Sequence, residues 1–460
     1  MNTINEFFAW LGTCLWGWPM IILLLGPHVF LTVRLKVPQR KLITAIRLSV
    51  KRDQSAKGEV SQFGALATAL AATIGTGNIV GVATAVALGG PGAVLWCWLT
   101  GIFGIATKYT EGLLAVKYRV SDADGHYHGG PMYALERGLG MKWLAVLFAV
   151  FTAIASFGIG CTVQANSIAL LANETFGIST TIVGILVSLL AATVIIGGVK
   201  AIARVCTLLV PFMALLYVLG CLVILFMNSS FVWPAIKLIV VSAFNPSAAG
   251  GGFAGATVMM AARYGIARGL FSNESGMGSA PIVAATAQTR NPVRQALVSS
   301  TGTFWDTVII CALTGIVLVS SIIAYPDITY DDGAALTKVA FSKIPYIGAP
   351  LLTFGILTFA FSTILGWSYY GESAVGYIEG RRTEEGGLLK VEGRGKRLYR
   401  ILFIVFLFFG CIINLDMIWN IADSMNALMA IPNLVALLLL SKVAAEETNR
   451  YLWSNRLEDN

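Results

Sequence analysis

Long apolar stretches recur along this chain and alternate with short polar segments. Eleven of them are close to or longer than the roughly 20 residues that an α-helix needs to cross a bilayer. They lie at 13–35, 62–88, 92–117, 142–172, 178–198, 205–227, 249–268, 297–324, 348–370, 400–415 and 419–441. The pattern predicts an all-α membrane protein with about 11 transmembrane helices. Segment 230–246 is predicted as a half-buried helix that leads into the seventh span.

The composition narrows the class of protein. Hydrophobic residues make up 56% of the 460 residues and charged residues only 12%, against about 25% charged residues in an ordinary soluble domain. These values exclude a soluble globular enzyme and a disordered chain. The continuous apolar runs also argue against a transmembrane barrel, whose strands alternate apolar and polar residues. The seven cysteines form no C-x-x-C pair, so neither a disulfide framework nor a zinc site is predicted.

The net charge of +8 is concentrated in loops on one predicted side of the membrane. When eleven spans are threaded, the basic loops 34–57, 117–142, 199–204, 269–296 and 372–400 all fall on that side. Lysine and arginine accumulate in cytoplasmic loops, so the N-terminus is predicted outside and the C-terminus inside. This bias explains the positive charge without a nucleic-acid partner.

Glycines interrupt the middle of the second span. Residues 73–81 read T-I-G-T-G-N-I-V-G, and glycine is about 1 kcal/mol less favourable in a helix than alanine. Irregular backbone at membrane depth is tolerated only where protein covers it or where it lines a watery cavity. We therefore predict an unwound helix here. Close packing of a continuous helix through Gly77 and Gly81 is the alternative.

The seventh span carries a similar interruption, F-N-P-S-A-A-G-G-G-F-A-G-A-T at 244–257. It lies five spans after the second, so the two segments cross the membrane in opposite directions. Interrupted segments at corresponding positions of inverted halves are the best sequence indication of a transporter's binding site. We predict a single transporter domain over 1–460, made of an extra first span with a basic cytoplasmic loop at 1–60, inverted repeats at 61–228 and 229–442, and a cytoplasmic tail at 443–460.

An unwound helix offers free N–H groups to a carboxylate and free carbonyl oxygens to Na⁺ or an ammonium group. Together these groups fit a zwitterionic amino acid. Gln164 in the fourth span and the hydroxyls of Ser362 and Thr363 in the ninth are candidates to line the site, although such groups also bond to neighbouring helices. Asp306 and Asp423 are the most unusual charges within the spans. A coupling role and a structural pairing are equally open for both.

Several motifs occur in the order typical of one family. T-I-G-T-G-N-I-V-G-V-A-T-A, H-G-G-P-M-Y, F-S-N-E-S-G-M-G-S-A-P-I and G-W-S-Y-Y-G-E resemble the alanine or glycine:cation symporter family, from about residue 12 to 440. That family belongs to the amino acid–polyamine–organocation superfamily. The resemblance implies the leucine-transporter-type fold, with spans 2–6 and 7–11 as inverted repeats whose first helices are broken. The stretch F-S-N-E-S-G-M-G-S-A-P (271–281) is interpreted as a tight cytoplasmic connection.

The resemblance also implies roles for individual residues. Thr73 is implied near the substrate's ammonium group, the glycine-rich break near its carboxylate, and Trp367 near its side chain. The implied substrate-binding residues are Thr73, Gly75, Thr76, Gly77, Asn78, Gln164 and Trp367. The implied sodium ligands are the carbonyl oxygens of Ala71, Ile74 and Phe359 and the hydroxyls of Ser362 and Thr363.

The function that the resemblance implies is secondary active symport. Na⁺ entering the cell would drive uptake of a small neutral amino acid, alanine or glycine, by alternating access. The implied location is the plasma (inner) membrane of a prokaryote, with lipid as a partner. Neither an enzyme activity nor an organic cofactor is expected. Proton coupling through Asp306 or Asp423 is one alternative, and a channel or amino-acid sensor on the same scaffold is another.

Overall fold

The structure is a computed structural model that describes residues 2–51, 56–122, 124–245, 257–326, 328, 333–382, 389–390, 393–413 and 416–459. Most of the described chain is helical. The α-helices are α1 Asn2–Leu15, α2 Trp18–Arg34, α3 Leu42–Val50, α4 Gln62–Thr73, α5 Val82–Gly89, α6 Ala93–Lys117, α7 Pro131–Tyr133, α8 Lys142–Phe157, α9 Val163–Phe176, α10 Thr180–Ile195, α11 Gly198–Met227, α12 Ser229–Ser242, α13 Val258–Asn273, α14 Ala280–Ala284, α15 Pro292–Thr303, α16 Ala312–Ala324, α17 Gly333–Ser342, α18 Gly348–Glu379, α19 Arg394–Ile412, α20 Asp416–Leu439 and α21 Ser441–Thr448.

Shorter elements connect these helices. A 3₁₀ turn spans Pro38–Lys41, and five π-helical turns span Gly77–Gly81, Ala134–Gly138, Gly158–Thr162, Phe304–Cys311 and Asn449–Trp453. Two antiparallel hairpins pair β1 Val120–Ser121 with β2 Tyr127–His128, and β3 Arg381–Arg382 with β4 Leu389–Lys390. π-helical turns within helices are frequent at functional sites, and three of these turns interrupt predicted spans.

Six helical segments of the described residues are each long and apolar enough to cross a membrane. They are Ile4–Arg34, Lys142–Phe176, Gly198–Met227, Pro292–Ala324, Gly348–Glu379 and Met417–Leu439. A seventh consists of Gln62–Thr73 and Gly77–Gly89, which are bent by 53° at their junction. The remaining predicted spans overlap α6, α10, α13 and α19. The total of eleven spans stays a prediction, while the half-buried helix predicted at 230–246 is confirmed as α12, which packs against α16.

Glycines bring α18 into close contact with its neighbours. A Cβ on Gly366 would lie 2.7 Å from the Cβ of Ala72 in α4, and a Cβ on Gly160 would lie 2.1 Å from the Cβ of Trp367. Both distances are shorter than atoms can approach, so only glycine fits at these two positions. The close approach places α18 directly against the inner part of the second span and against the π turn of the fourth.

The second span is broken, as predicted. Helix α4 ends at Thr73, and Ile74 follows it with an extended backbone (φ −73°, ψ 95°). Gly77 then begins a π turn that continues into α5. We refer to Ile74–Gly77 as the first break.

A second break separates α13 from α14. Glu274, Gly276 and Gly278 have positive φ angles of 50°, 90° and 87°, which a right-handed helix cannot contain. We refer to Glu274–Ser279 as the second break. Helices α5 and α13 lie antiparallel, because the Cβ position of Gly89 lies 3.3 Å from Ala261 Cα and that of Gly77 lies 3.5 Å from the Phe271 ring. The two breaks therefore lie side by side.

The position of the second break corrects the interpretation of the sequence. The stretch 271–281, interpreted from the sequence as a tight cytoplasmic connection, contains the second break and is buried, since Asn273, Glu274 and Met277 are 1%, 5% and 0% exposed. Its polar groups are buried because other helices supply their hydrogen-bond partners. Of the interruption predicted at 244–257, residues 246–256 lie outside the described residues.

The β1–β2 hairpin contacts one end of both broken helices. Arg119, just before β1, donates hydrogen bonds to the carbonyl oxygens of Ala285 (3.0 Å) and Ala287 (2.8 Å), just after α14. Glu59, just before α4, accepts a hydrogen bond from the Tyr127 N–H. A β-bridge pairs Val60 with Ala287. The hairpin therefore fastens the start of α4 to the end of α14.

Candidate substrate and cation site

A cavity of about 750 Å³ opens beside the first break. Thr76 and Gly77 line it from the break, Gln164 from α9, Phe271 from α13 and Asp423 from α20. The cavity extends to Glu174 and Lys338, which form an exposed ion pair with a 3.2 Å separation of Oε2 and Nζ. It thus connects the middle of the bundle with the end where α9 meets α17.

Gln164 brings an unpaired acceptor to this cavity. Its side-chain N–H₂ group donates to the carbonyl oxygen of Ile159 at 3.1 Å, which lies in the π turn just before α9. Its Oε1 is buried and has no hydrogen-bond partner among the described residues. A buried acceptor without a donor costs about 1–3 kcal/mol, so a ligand that donates a hydrogen bond here gains affinity.

Two charges of opposite sign also line the cavity. Arg268 belongs to α13 and Asp423 to α20, and both are half-buried. A zwitterion presents one charge of each sign. The cavity therefore carries groups that complement both ends of a free amino acid, in addition to the backbone at the first break.

Four oxygen atoms from two helices converge behind the first break. The Ser362 hydroxyl lies 3.2 Å from the carbonyl oxygen of Ala71 and 2.8 Å from that of Phe359. The Thr363 hydroxyl lies 3.2 Å and 3.0 Å from the same two oxygens. Ile74, the fifth implied ligand, is the first residue after α4. Carbonyl and hydroxyl oxygens are hard ligands suited to Na⁺, so the residues present fit this ion.

Gly75 permits this arrangement. A Cβ at its position would lie 2.9 Å from the Thr363 hydroxyl oxygen, closer than ordinary contact. The absence of a side chain lets the break approach α18. The cation ligands and the cavity therefore share one segment of backbone, with Gly75 on the side of the cation ligands and Thr76 and Gly77 on the side of the cavity.

Asn78 holds the first break rather than lining the cavity. Its Oδ1 accepts a hydrogen bond from the Gly75 N–H (2.9 Å), and its Nδ2 donates to Asp306 Oδ1 (2.7 Å). The other oxygen of Asp306 accepts hydrogen bonds from Ser272 (2.9 Å) and Thr307 (2.7 Å). Asp306 thus links the first break to the end of α13, and all three partners are buried.

Thr73 and Trp367, like Gly75 and Asn78, do not line the cavity. The Thr73 hydroxyl donates to the Ala69 carbonyl oxygen at 3.2 Å, and Thr73 lines a separate, much smaller cavity beside Lys108 and Glu111. Trp367 is fully buried behind Gly160. Its indole N–H is buried without a hydrogen-bond partner among the described residues. The structure brings Thr76, Gly77 and Gln164 together, with Gly75 and Asn78 behind them.

A buried polar cluster at the second break was not singled out from the sequence. Glu111 Oε1 accepts hydrogen bonds from the N–H groups of Gly276 and Gly278 (3.0 Å each) and from Asn433 Nδ2 (2.7 Å). Lys108 donates to the Glu274 carbonyl oxygen (3.1 Å) and lies 3.8 Å from Glu111 Oε2. The sequence contains a signal for this cluster, since G-M-G at 276–278 repeats the G-T-G spacing of 75–77.

Comparison with known proteins identifies the family. The profile of the sodium:alanine symporter family matches residues 1–460. The chain is 48% identical over 459 residues to the sodium/alanine symporter AgcS of Methanococcus maripaludis, covering 98% of this chain and 96% of that protein. The chain belongs to the sodium:alanine symporter family. Its members are transporters, not enzymes, and the chain is accordingly a multi-pass protein of a prokaryotic plasma membrane.

Other relatives in the family are named for a different substrate or for none. An uncharacterized transporter of Haemophilus influenzae is 52% identical over 454 residues, covering 98% of this chain and 96% of that protein. The probable sodium/glutamine symporter GlnT of Bacillus subtilis is 38% identical over 438 residues, covering 93% and 87%. Membership of the family therefore does not by itself determine whether the substrate is a small or a larger amino acid.

Solved structures show the fold. MhsT in complex with L-phenylalanine superposes with a TM-score of 0.55 at 15% identity, covering 87% of this chain and 95% of that chain. A Na⁺-coupled sialic acid symporter in a substrate-bound outward-open state gives a TM-score of 0.58 at 15% identity, covering 92% and 86%. The chain shares the leucine-transporter-type fold with these proteins. This confirms the all-helical fold type predicted from the sequence, while the number of spans and their orientation stay predictions.

Proposed function

We propose that this protein couples inward movement of Na⁺ to uptake of a small neutral amino acid, alanine or glycine, by alternating access. The observation that carries the proposal is the convergence of four oxygens, from Ala71, Phe359, Ser362 and Thr363, directly behind the break that borders the cavity. A cation held there would draw α4 and α18 together and fix the backbone that faces the substrate.

The substrate would bind in the cavity beside Thr76 and Gly77. Its carboxylate would face the N–H groups at the start of the π turn, where the positive end of the α5 segment lies. Its ammonium group would donate to the unpaired Oε1 of Gln164. The name of the 48% identical relative supports alanine.

The proposed orientation follows from the loop charges. The N-terminus lies outside, the C-terminus inside, and eleven spans form two inverted repeats at 61–228 and 229–442 after an extra first span and basic loop at 1–60. Residues 443–460 form the cytoplasmic tail. In this orientation the cavity would open outward and the β1–β2 hairpin would lie on the cytoplasmic side, as expected of an outward-facing state.

The proposal is tested by uptake of labelled alanine into proteoliposomes with Na⁺ or with choline outside. The double variant Ser362→Ala, Thr363→Ala should raise the Na⁺ concentration for half-maximal uptake at least about tenfold, because two neutral ligands are worth about 1 kcal/mol each. Ser368→Ala is the matched control, since this α18 hydroxyl donates only to the Leu365 carbonyl oxygen.

Two results would contradict the proposal. Uptake by the unmodified protein that is equal in Na⁺ and in choline, and that follows a pH gradient instead, would indicate proton coupling. A double variant with the Na⁺ dependence of the unmodified protein would show that the cation binds elsewhere. Counterflow of labelled alanine against unlabelled alanine distinguishes transport from sensing or channel activity.

A further inference from the structure

A second large crevice lies at the opposite end of the bundle from the cavity. It has a volume of about 650 Å³ and is enclosed by the end of α3, the start of α4 and the start of α11. Ser49, Ser61 and Thr207 supply hydroxyls to its lining, and Lys200 and Arg204 supply positive charges. Nothing in the proposed transport cycle uses these residues.

Lys51 also lines the crevice and is neutralised by Glu458 at 3.1 Å, but the other two positive charges are not. Lys200 and Arg204 are exposed and have no ion-pair partner among the residues that the structure describes. The crevice does contain one carboxylate, Glu59. Both of its oxygens are occupied, however, since Oε2 bonds to His126 Nδ1 (2.8 Å) and Oε1 accepts from the Tyr127 N–H (2.6 Å). The crevice therefore presents a net positive surface.

The backbone adds to this potential. Ser61 is the N-cap of α4, and Gly198 begins α11, so two helix N-termini border the crevice. Helix N-termini carry a partial positive charge and favour anions. Together with Lys200 and Arg204, they make an anion the favoured occupant. The Ser61 hydroxyl accepts from the Gly64 N–H and can still donate its own hydrogen to an anion, whereas the Ser49 and Thr207 hydroxyls already donate to the carbonyl oxygens of Ile46 and Arg204.

The rim of the crevice is apolar. Val50 at the end of α3 is 72% exposed, Ile43 on the same face is 68% exposed, and Leu208 of α11 is 79% exposed. Arg47 lies between Ile43 and Val50 on that exposed face. Apolar and basic residues together on one exposed helix face are typical of helices that lie in the membrane interface. A free anion would contact none of this apolar surface. A lipid would contact the basic crevice with its headgroup and the apolar rim with its acyl chains.

We propose that this crevice binds the phosphate headgroup of an anionic phospholipid in the cytoplasmic leaflet, with the acyl chains lying against the apolar rim. Basic pockets between transmembrane helices on the cytoplasmic side are known to take such headgroups. The side of the membrane rests on the proposed orientation, but the site itself does not depend on sodium coupling or on the substrate. Because Ser61 and Gly64 of α4 form part of the wall, the lipid would contact the inner half of the first broken helix.

Native mass spectrometry of the purified full-length protein tests this site. Phosphatidylglycerol and phosphatidylcholine with identical acyl chains are titrated separately. The unmodified protein should bind phosphatidylglycerol at least about tenfold more tightly, since each basic residue near an anionic headgroup contributes roughly a factor of five. Lys200→Gln with Arg204→Gln should remove most of this preference. Arg137→Gln with Lys142→Gln is the control, because both residues are exposed on the same predicted side and neither lines the crevice.

A steric variant separates the crevice from general surface charge. Thr207→Trp keeps every charge but fills part of the crevice, and it should weaken phosphatidylglycerol binding. Equal binding of both lipids by the unmodified protein would overturn the proposal. So would an equal loss in the control pair or full binding by Thr207→Trp. Displacement of the lipid by an equal concentration of inorganic phosphate would show a free-anion site and would also overturn it.

Discussion

The two breaks differ in how their backbone is held. The first break is short, borders the large cavity, and approaches α18 through Gly75. The second break is longer, fully buried, and held by charged side chains, with the Glu111 carboxylate accepting two of its N–H groups. Both interrupt a span with a G-x-G sequence. The first leaves backbone groups available for ligands, whereas the second satisfies its backbone groups within the protein.

This difference assigns separate tasks to the two breaks. The polar groups of the second break are already paired, so a ligand there would add few hydrogen bonds. This break instead holds α13 and α14 in a fixed relative position. A break with unpaired groups is completed by ligands. Asp306 connects the two, because it bonds to Asn78 at the first break and to Ser272 at the end of α13. We therefore expect substitutions at the second break to affect folding and those at the first to affect binding.

The largest effect is expected for Glu111→Ala. This change leaves the buried Lys108 ammonium without its carboxylate and removes the acceptor of Gly276 and Gly278. Removing one partner of a buried ion pair costs about 3–5 kcal/mol. The melting temperature in detergent should fall strongly, and less in Glu111→Gln, which keeps an acceptor.

The control is Glu174→Gln, which removes an exposed ion pair with Lys338. It should lower the free energy of unfolding by at most about 1 kcal/mol. A Glu111→Ala protein as stable as this control would contradict the assignment.

A pair of glycine substitutions compares the breaks directly. Gly278 has φ +87°, and a Cβ there would lie 2.7 Å from Pro131 Cγ and 2.8 Å from Phe148. Gly278→Ala should therefore cost about 1–3 kcal/mol of stability. In Gly77→Ala the Cβ meets the Phe271 ring at 3.5 Å and Ser272 Cα at 3.8 Å, both of them ordinary contacts, so stability should change by less than about 1 kcal/mol. Its effect should instead be on the alanine concentration for half-maximal uptake. The reverse order of melting temperatures would refute the distinction.

A smaller effect is expected at Gln164. Gln164→Leu removes the unpaired Oε1 and should weaken alanine binding about tenfold, the equivalent of one hydrogen bond to a charged group. Melting temperature should hardly change. Ser167→Ala is the control in the same cavity, because its hydroxyl already donates to the Val163 carbonyl oxygen. Binding of labelled alanine by scintillation proximity measures both variants. Equal affinities in the two would show that Gln164 does not contact the substrate.

The smallest effect concerns the β1–β2 hairpin, which contacts the start of α4 and the loop after α14. Burial, with help from Lys396, lowers the pKa of His128 below 6.5, even though its bond to Asp122 opposes this shift. A lowered pKa in the folded state means that the neutral ring stabilises the fold above pH 6.5, and that this contribution is lost as the pH falls below that value. Acidification from pH 7.5 to 5.5 should lower the melting temperature slightly more in the unmodified protein than in His128→Gln. An identical pH dependence would exclude His128 as a cause.

The sequence contains enough information for the first break but not for the second. Gly75 and Gly77 stand within an uninterrupted apolar run, so their effect on the helix is visible without tertiary structure. Glu274, Ser275 and Ser279 instead make the second break resemble a polar loop. Only the structure shows that Lys108, Glu111 and Asn433, which are far apart in the sequence, meet these residues in the interior.

Some residues of the candidate site could likewise be placed from the sequence, and others could not. Ser362 and Thr363 could be placed against Ala71 because the fold implied by the resemblance brings these helices together. The side-chain environment of Thr73 and Trp367 could not be predicted, since it depends on which face of each helix meets the cavity. For Trp367 the environment is set by Gly160, which has no side chain and so leaves space for the indole behind the π turn. Such packing choices leave no periodic signal in a single sequence.

The hairpin that fastens α4 to α14 reduces the number of independent motions at the closed end of the bundle. Val60 is paired with Ala287, and Arg119 contacts the same loop. Neither half-helix can therefore swing away without carrying the other or rupturing these bonds. If the proposed function holds, ion and amino acid would then cross one common barrier at this end of the bundle. A shared barrier of this kind would suppress leakage of either solute alone, so the tightness of their coupling would depend on a hairpin that touches neither of them.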